Sequence, residues 1–187
     1  MSPSLLPVRA ALFAAAVLAG AGGAPLLRAD PVAAAAPPGV PVAEFSDISS
    51  WRVQTAGQAE AELQMAAAGP GEKPTPALVV TVGTIGSGEP WVIQLARRMP
   101  LEKGKTYHVS FQAKAEPERK IVCGAMQDHA PYLRIGKPLA VSLGAEWTKV
   151  SFDFVPEADE PQARISISNL AEPGLKITLA APAMTVE

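Results

Sequence analysis

From Thr106 to Ala115 polar and apolar side chains alternate without a break: Tyr107, Val109, Phe111 and Ala113 fall on one face, His108, Ser110, Gln112 and Lys114 on the other. A period of two is the signature of a strand with one face in a core and one in water. The same short-run pattern recurs along the chain, and helical periodicity is nearly absent. Runs at Ala59 to Met65, Ala77 to Val82, Trp91 to Ala96, Lys120 to Met126, Leu139 to Leu143, Thr148 to Val155, Arg164 to Ser168 and Leu175 to Leu179 are separated by Gly, Pro, Asp and Glu. Prolines sit between the runs, where they break no central ladder. About nine or ten short strands with turn signals between them predict an all-β fold, a jelly-roll β-sandwich.

Two registers follow by counting. A hairpin about Lys103-Gly104 would place Leu95 opposite Phe111, Ile93 opposite Ala113 and Gln94 opposite Gln112. A turn about Pro117-Glu118 would place Cys123 opposite Ala113 and Gly124 opposite Gln112. Apolar would face apolar in both, as a half-buried sheet requires. Both pairings hold only if strands adjacent in sequence share a sheet.

The N-terminus reads as an export signal. Arg9 precedes an apolar run from Ala10 to Leu18, and Ala19-Gly20-Ala21 supplies small residues of the kind a signal peptidase accepts. Residues 1–24 are expected to be a signal peptide, residues 25–43 an Ala/Pro-rich linker, and residues 44–187 the folded domain. The expected location is secreted or periplasmic. Cys123 is the one cysteine, so no internal disulfide can form and the thiol is expected to be a small buried hydrophobe. The 16 Lys and Arg nearly balance 18 Asp and Glu, without a basic stripe, which argues against a nucleic-acid partner.

The order of the blocks carries a resemblance. W-x-x-Q-L from Trp91, L-x-K-G-K-T-Y-x-V-S-F-x-A-K-A from Leu101, and R-K-I from Arg119 are followed by E-W-T-K-V-S-F-D-F from Glu146 and A-R-I-S-I-S-N-L from Ala163. Together they resemble carbohydrate-binding modules of families four, nine and twenty-two. The resemblance covers most of Phe45 to Glu187 and implies a galactose-binding-domain-like jelly roll. It also implies a polysaccharide or oligosaccharide ligand and, as further partners, separate carbohydrate-active enzymes or cell-envelope proteins. Such modules usually carry an Asp-Asn pair before the last strand, where the aspartate helps hold a structural calcium. The matching stretch here is Leu179-Ala180-Ala181-Pro182, so the calcium site is not carried over, and no cofactor or metal is expected.

Sugar sites combine an aromatic ring that stacks on a pyranose with amide, carboxylate and basic groups that bond its hydroxyls. The candidate carbohydrate-binding residues are Trp91, Gln94, Gln112, Lys114, Gln127, His129 and Tyr132. Trp91 matches the ligand-side tryptophan position that the resemblance implies. Strict alternation groups it instead with Ile93 and Leu95 in the core, unless a bulge or twist at the strand entry frees it. Gly124 would leave space for a ligand beside Gln94, Gln112 and Lys114; these three also suit an ordinary solvated sheet face, and Gln127 to Tyr132 also suits a plain turn. Trp51 and Trp147 read as packing residues. His108, His129 and Asp128 lack the fixed spacing of a metal site. No G-x-S-x-G, H-E-x-x-H or nucleotide loop is present, so no catalytic residue is assigned and an enzyme is not expected. The reading is a secreted non-catalytic module for a polysaccharide or oligosaccharide. The alternative is a cell-envelope interaction or structural jelly roll without sugar binding.

Overall fold

The computed structural model describes residues 39–187. The expected signal peptide and all but the end of the expected linker lie outside the described residues. Eleven strands form two antiparallel sheets: β1 (Val40–Pro41), β2 (Arg52–Thr55), β3 (Ala59–Ala67), β4 (Pro76–Ile85), β5 (Ile93–Leu101), β6 (Tyr107–Glu116), β7 (Arg119–Gln127), β8 (Arg134–Leu143), β9 (Thr148–Phe154), β10 (Glu160–Ser168) and β11 (Lys176–Val186). The first sheet runs β3-β4-β11-β6-β9. Short β1 pairs with Thr185 and Val186 at the far end of β11, beyond the stretch that β4 occupies. The second sheet runs β2-β5-β10-β7-β8.

Strand β6 keeps the predicted alternation, with Tyr107, Val109, Phe111, Ala113 and Ala115 all buried. Its inward face meets Ile121, Cys123 and Ala125 of β7 and Ile165 and Ile167 of β10 in one apolar core. Trp51 is fully buried, its ring edge-on to Phe45 with centroids 5.4 Å apart, as a packing tryptophan should be. Cys123 is likewise sealed, and burial pushes its thiol up to about 12.

The two counted registers do not form. Leu95 pairs with Val53 and Ile167, and Ile93 with Thr55. Phe111 pairs instead with Val150, and Ala113 with Thr148 and Leu179. Cys123 pairs with Leu139 and Ile167, and Gly124 with Ser166. The chain crosses from the second sheet to the first between β5 and β6, and back again between β6 and β7. Matching apolar faces therefore meet through the core rather than side by side.

At the centre of each sheet even the outward positions are buried. In the first sheet these are mostly small or apolar: Val79, Thr178 and Ala180. In the second they include the polar Gln94, Arg164 and Ser166 beside Ala96. Polar groups hidden from water on an outward sheet face mark where that face is walled in.

Candidate functional site

The wall encloses a groove of about 700 Å³ on the outer face of the second sheet. Strand β2 contributes Gln54 and Thr55, and Ala56 follows it. Trp91 stands just before β5, which adds Gln94 and Arg98. Met126 comes from β7, Arg164 from β10, and the β7–β8 loop supplies Asp128 and Tyr132.

The register explains the floor. Arg98 lies opposite Arg164, and Arg164 opposite Met126, so three adjacent strands present these side chains in one row. Like charges directly opposite repel. Asp128 sits between them: one carboxylate oxygen accepts from Arg98 Nε and the other from Arg164 Nη1 at 2.7 Å. Arg164 Nη1 also donates to Gln54 Oε1 at 2.6 Å. Its Nη2 faces only the weak acceptor sulfur of Met126 at 3.4 Å, and its Nε is buried without a partner. The next row is small, with Ala96, Ser166 and Gly124 in register across β5, β10 and β7. Gln94, which lines the groove, donates from Nε2 to the Trp91 carbonyl at 2.8 Å.

Two aromatic rings stand at the groove, Trp91 at 58% exposure and Tyr132 at 54%. Trp91 escapes the alternation that would bury it because the ladder begins two residues later, at Ile93. Tyr132 sits in left-handed backbone at φ 59°, in a turn closed by its N–H donating to the His129 carbonyl at 2.7 Å. Its ring lies 6.0 Å from the Arg164 guanidinium, within cation–π range.

Gln127 and His129 serve the loop from behind. Gln127 Nε2 donates to Glu160 Oε2 at 2.9 Å, and Gln127 Oε1 accepts from the Leu133 N–H. His129 Nδ1 donates to the Ala130 carbonyl at 2.8 Å, while its Nε2 lies 3.2 Å from both Glu160 oxygens. With Nδ1 carrying a proton, Nε2 can bond the carboxylate only if it is protonated too. The Ala130 bond and then Glu160 accordingly raise the imidazole pKa above its ordinary value. The Gln162 N–H leads the contacts that hold Glu160 below its own.

Of the seven sequence candidates, Trp91, Gln94 and Tyr132 line the groove, and Gln127 and His129 brace its loop. Gln112 and Lys114 are on β6, in the other sheet. The expected row joining them to Gln94 is thus corrected, because it assumed that β5 and β6 were neighbours. Lys114 Nζ lies 5.5 Å from the Trp147 ring centre, beside a smaller hollow of about 280 Å³. Gln54, Arg98, Met126 and Arg164 were not among the candidates. The run Ala163-Arg164-Ile165-Ser166-Ile167 held the signal for Arg164, since its alternation turns a charge and a hydroxyl outward from a central strand.

Among the described residues lining the groove, Asp128 is the one carboxylate, and both its oxygens are occupied. Most glycosidases place two carboxyl groups across the scissile bond, and these lining residues supply one. Among the described residues no group of three or more His, Cys, Asp and Glu could hold a metal ion. His108 pairs with Asp153 on the first sheet, away from His129. Leu179 to Pro182 offers hydrocarbon side chains, which do not fit a calcium ion. No helix among the described residues is long and apolar enough to cross a membrane.

A two-sheet jelly roll whose outer face holds an aromatic-flanked polar groove belongs to the class of ligand-binding β-sandwiches. The carbohydrate binding domain family model that joins families 4 and 9 matches residues 43–170, and the chain belongs to that family. Among solved structures, a CBM4 module superposes with a TM-score of 0.60 at 24% identity, covering 73% of this chain and 86% of that chain. The N-terminal cellulose-binding domain of Cellulomonas fimi β-1,4-glucanase C gives 0.53 at 18% identity, covering 76% and 92%. The CBM22-1 xylan-binding domain of Paenibacillus barcinonensis Xyn10C gives 0.54 at 13% identity, covering 76% and 90%. These likenesses carry the fold. Comparison with curated proteins returns no match.

Proposed function

We propose that this chain is a secreted or periplasmic, non-catalytic module that holds a polysaccharide or oligosaccharide in the groove of the second sheet. The observation that carries the reading is Trp91, a large ring left in water beside the polar floor of Gln94, Gln54 and Arg164. A folded chain gains by burying such a ring, so its exposure next to oriented polar groups is the arrangement expected of a stacking platform. Occupied Asp128 and the lack of a second groove carboxylate support passive binding rather than cleavage. Export is supported by the charged, apolar and small-residue pattern of residues 1–24. Polysaccharide in the medium or envelope is then the partner.

The test is a glycan array probed with the purified protein and with its Trp91→Ala variant. Binding to a defined set of glycans, lost in the variant, is expected. A folded protein that retains no glycan on the array would refute the reading.

A further inference from the structure

The groove face carries a charge that the chain as a whole does not. Over its full length the protein has 18 acidic and 16 basic residues. On the outward face of the second sheet the register places Arg52 on β2, Arg98 on β5, Arg164 on β10, Lys120 on β7 and Arg134 on β8. Three of these, Arg98, Arg164 and Arg134, stand with Met126 in a single row across four strands. At about 4.8 Å per strand, the row spans roughly 15 Å perpendicular to the strands.

Within the groove the anion count falls short. Arg98 and Arg164 are direct cross-strand neighbours and share one carboxylate, each taking one oxygen of Asp128. Arg164 is almost wholly buried, keeps an unpartnered Nε and turns an η nitrogen to a sulfur. Burying a guanidinium is costly unless its charge and donors are met. Arg98 engages Asp128 through Nε, and its side chain is 74% exposed, so the guanidinium keeps donor capacity toward solvent at the groove. A planar fork with its outer edge free is the geometry that receives a second carboxylate in bidentate fashion. A neutral sugar could accept from these donors but would leave the excess charge in place.

We infer that the glycan held in this groove is acidic, a polysaccharide bearing carboxylates of the uronate kind, with Arg98 at the mouth and Arg164 at the floor as the groups that select it. The inference rests on the groove being the glycan site. Binding in it is therefore strengthened by low ionic strength, since the arginines face a site open to solvent on one side.

The experiment titrates the full chain calorimetrically with hexagalacturonate, xylohexaose and cellohexaose at low and high salt, with dextran sulfate as a polyanion lacking carboxylates. Hexagalacturonate is expected to bind at least about tenfold more tightly than either neutral hexasaccharide at low salt, with the gap narrowing as salt rises. Arg98→Gln, at a side chain that is 74% exposed, is expected to narrow the gap between the acidic and the neutral hexasaccharides, with a thermal melt to check that the variant is folded. Neutral hexasaccharides bound as tightly as the acidic one, dextran sulfate bound equally well, or an unchanged gap in Arg98→Gln would each overturn the inference while leaving the groove as a glycan site. Failure of every saccharide to bind would instead bring down the groove reading itself.

Discussion

Replacing Trp91 by alanine separates a stacking platform from a packing residue, and its two effects can be worked from exposure. A tryptophan presents up to about 250 Å². At 58% exposure, Trp91 leaves roughly 145 Å² in water. One pyranose covers one face of the ring, about half of that, or ~70 Å². At about 25 cal/mol per Å² this is ~1.8 kcal/mol, or a loss of about twentyfold in affinity when the ring is removed. The folding cost runs the other way. The remaining buried part is roughly 100 Å², some of it backbone and Cβ that alanine retains, so truncation should cost about 1–2 kcal/mol. The Gln94 bond to the Trp91 carbonyl survives, because its acceptor is main chain. Trp51, with no exposed surface, supplies the contrast, since its truncation should cost roughly 3–5 kcal/mol. Paired calorimetric titrations and thermal melts on Trp91→Ala and Trp51→Ala check both numbers. A Trp91 variant as destabilised as the Trp51 variant, or one that binds glycan at full affinity, would refute the reasoning.

Gln112→Ala and Lys114→Ala should leave glycan affinity unchanged within about twofold, because both side chains face away from the groove on the first sheet; a larger loss in either titration would move the site to that sheet. The His129–Glu160 contact should brace the Tyr132 loop within a bounded pH window. Since the folded imidazole pKa is raised, its contribution is fully present below the unfolded histidine value and fades as pH rises through the folded one. Since the folded carboxyl pKa is lowered, the Glu160 contribution is present above the unfolded glutamate value and is lost as pH falls through the folded one. NMR titration should find His129 above about 6.5 in the native protein and lower in Glu160→Gln; a native value at or below the ordinary one would show that the latch does not form.

The difference between what the sequence revealed and what it hid is a difference between local and non-local physics. Alternation in β6 is a property of ten consecutive residues, and every inward position it named is buried. The burial of Cys123, expected from the apolar character of an unpaired cysteine, held although its counted cross-strand partner did not, because either sheet assignment turns it inward. Pairing is not local. Ile93 and Ala113 satisfy the same apolar matching whether they sit side by side in one sheet or face one another through a core, so counting alone could not choose. That one ambiguity moved Gln112 and Lys114 to the wrong face, and it also hid the groove's floor. Arg98 and Arg164 are 66 positions apart and become neighbours only when β10 inserts between β5 and β7. Trp91 shows the converse. Its fate turned on whether the ladder starts at residue 91 or 93, a shift too small for periodicity to resolve and large enough to turn a core tryptophan into an exposed one. The parts of the site carried by one segment, Trp91 with Gln94 and the loop through Tyr132, were therefore within reach of the sequence. The guanidinium row that gives the groove its charge was not, because it exists only as a relation between strands.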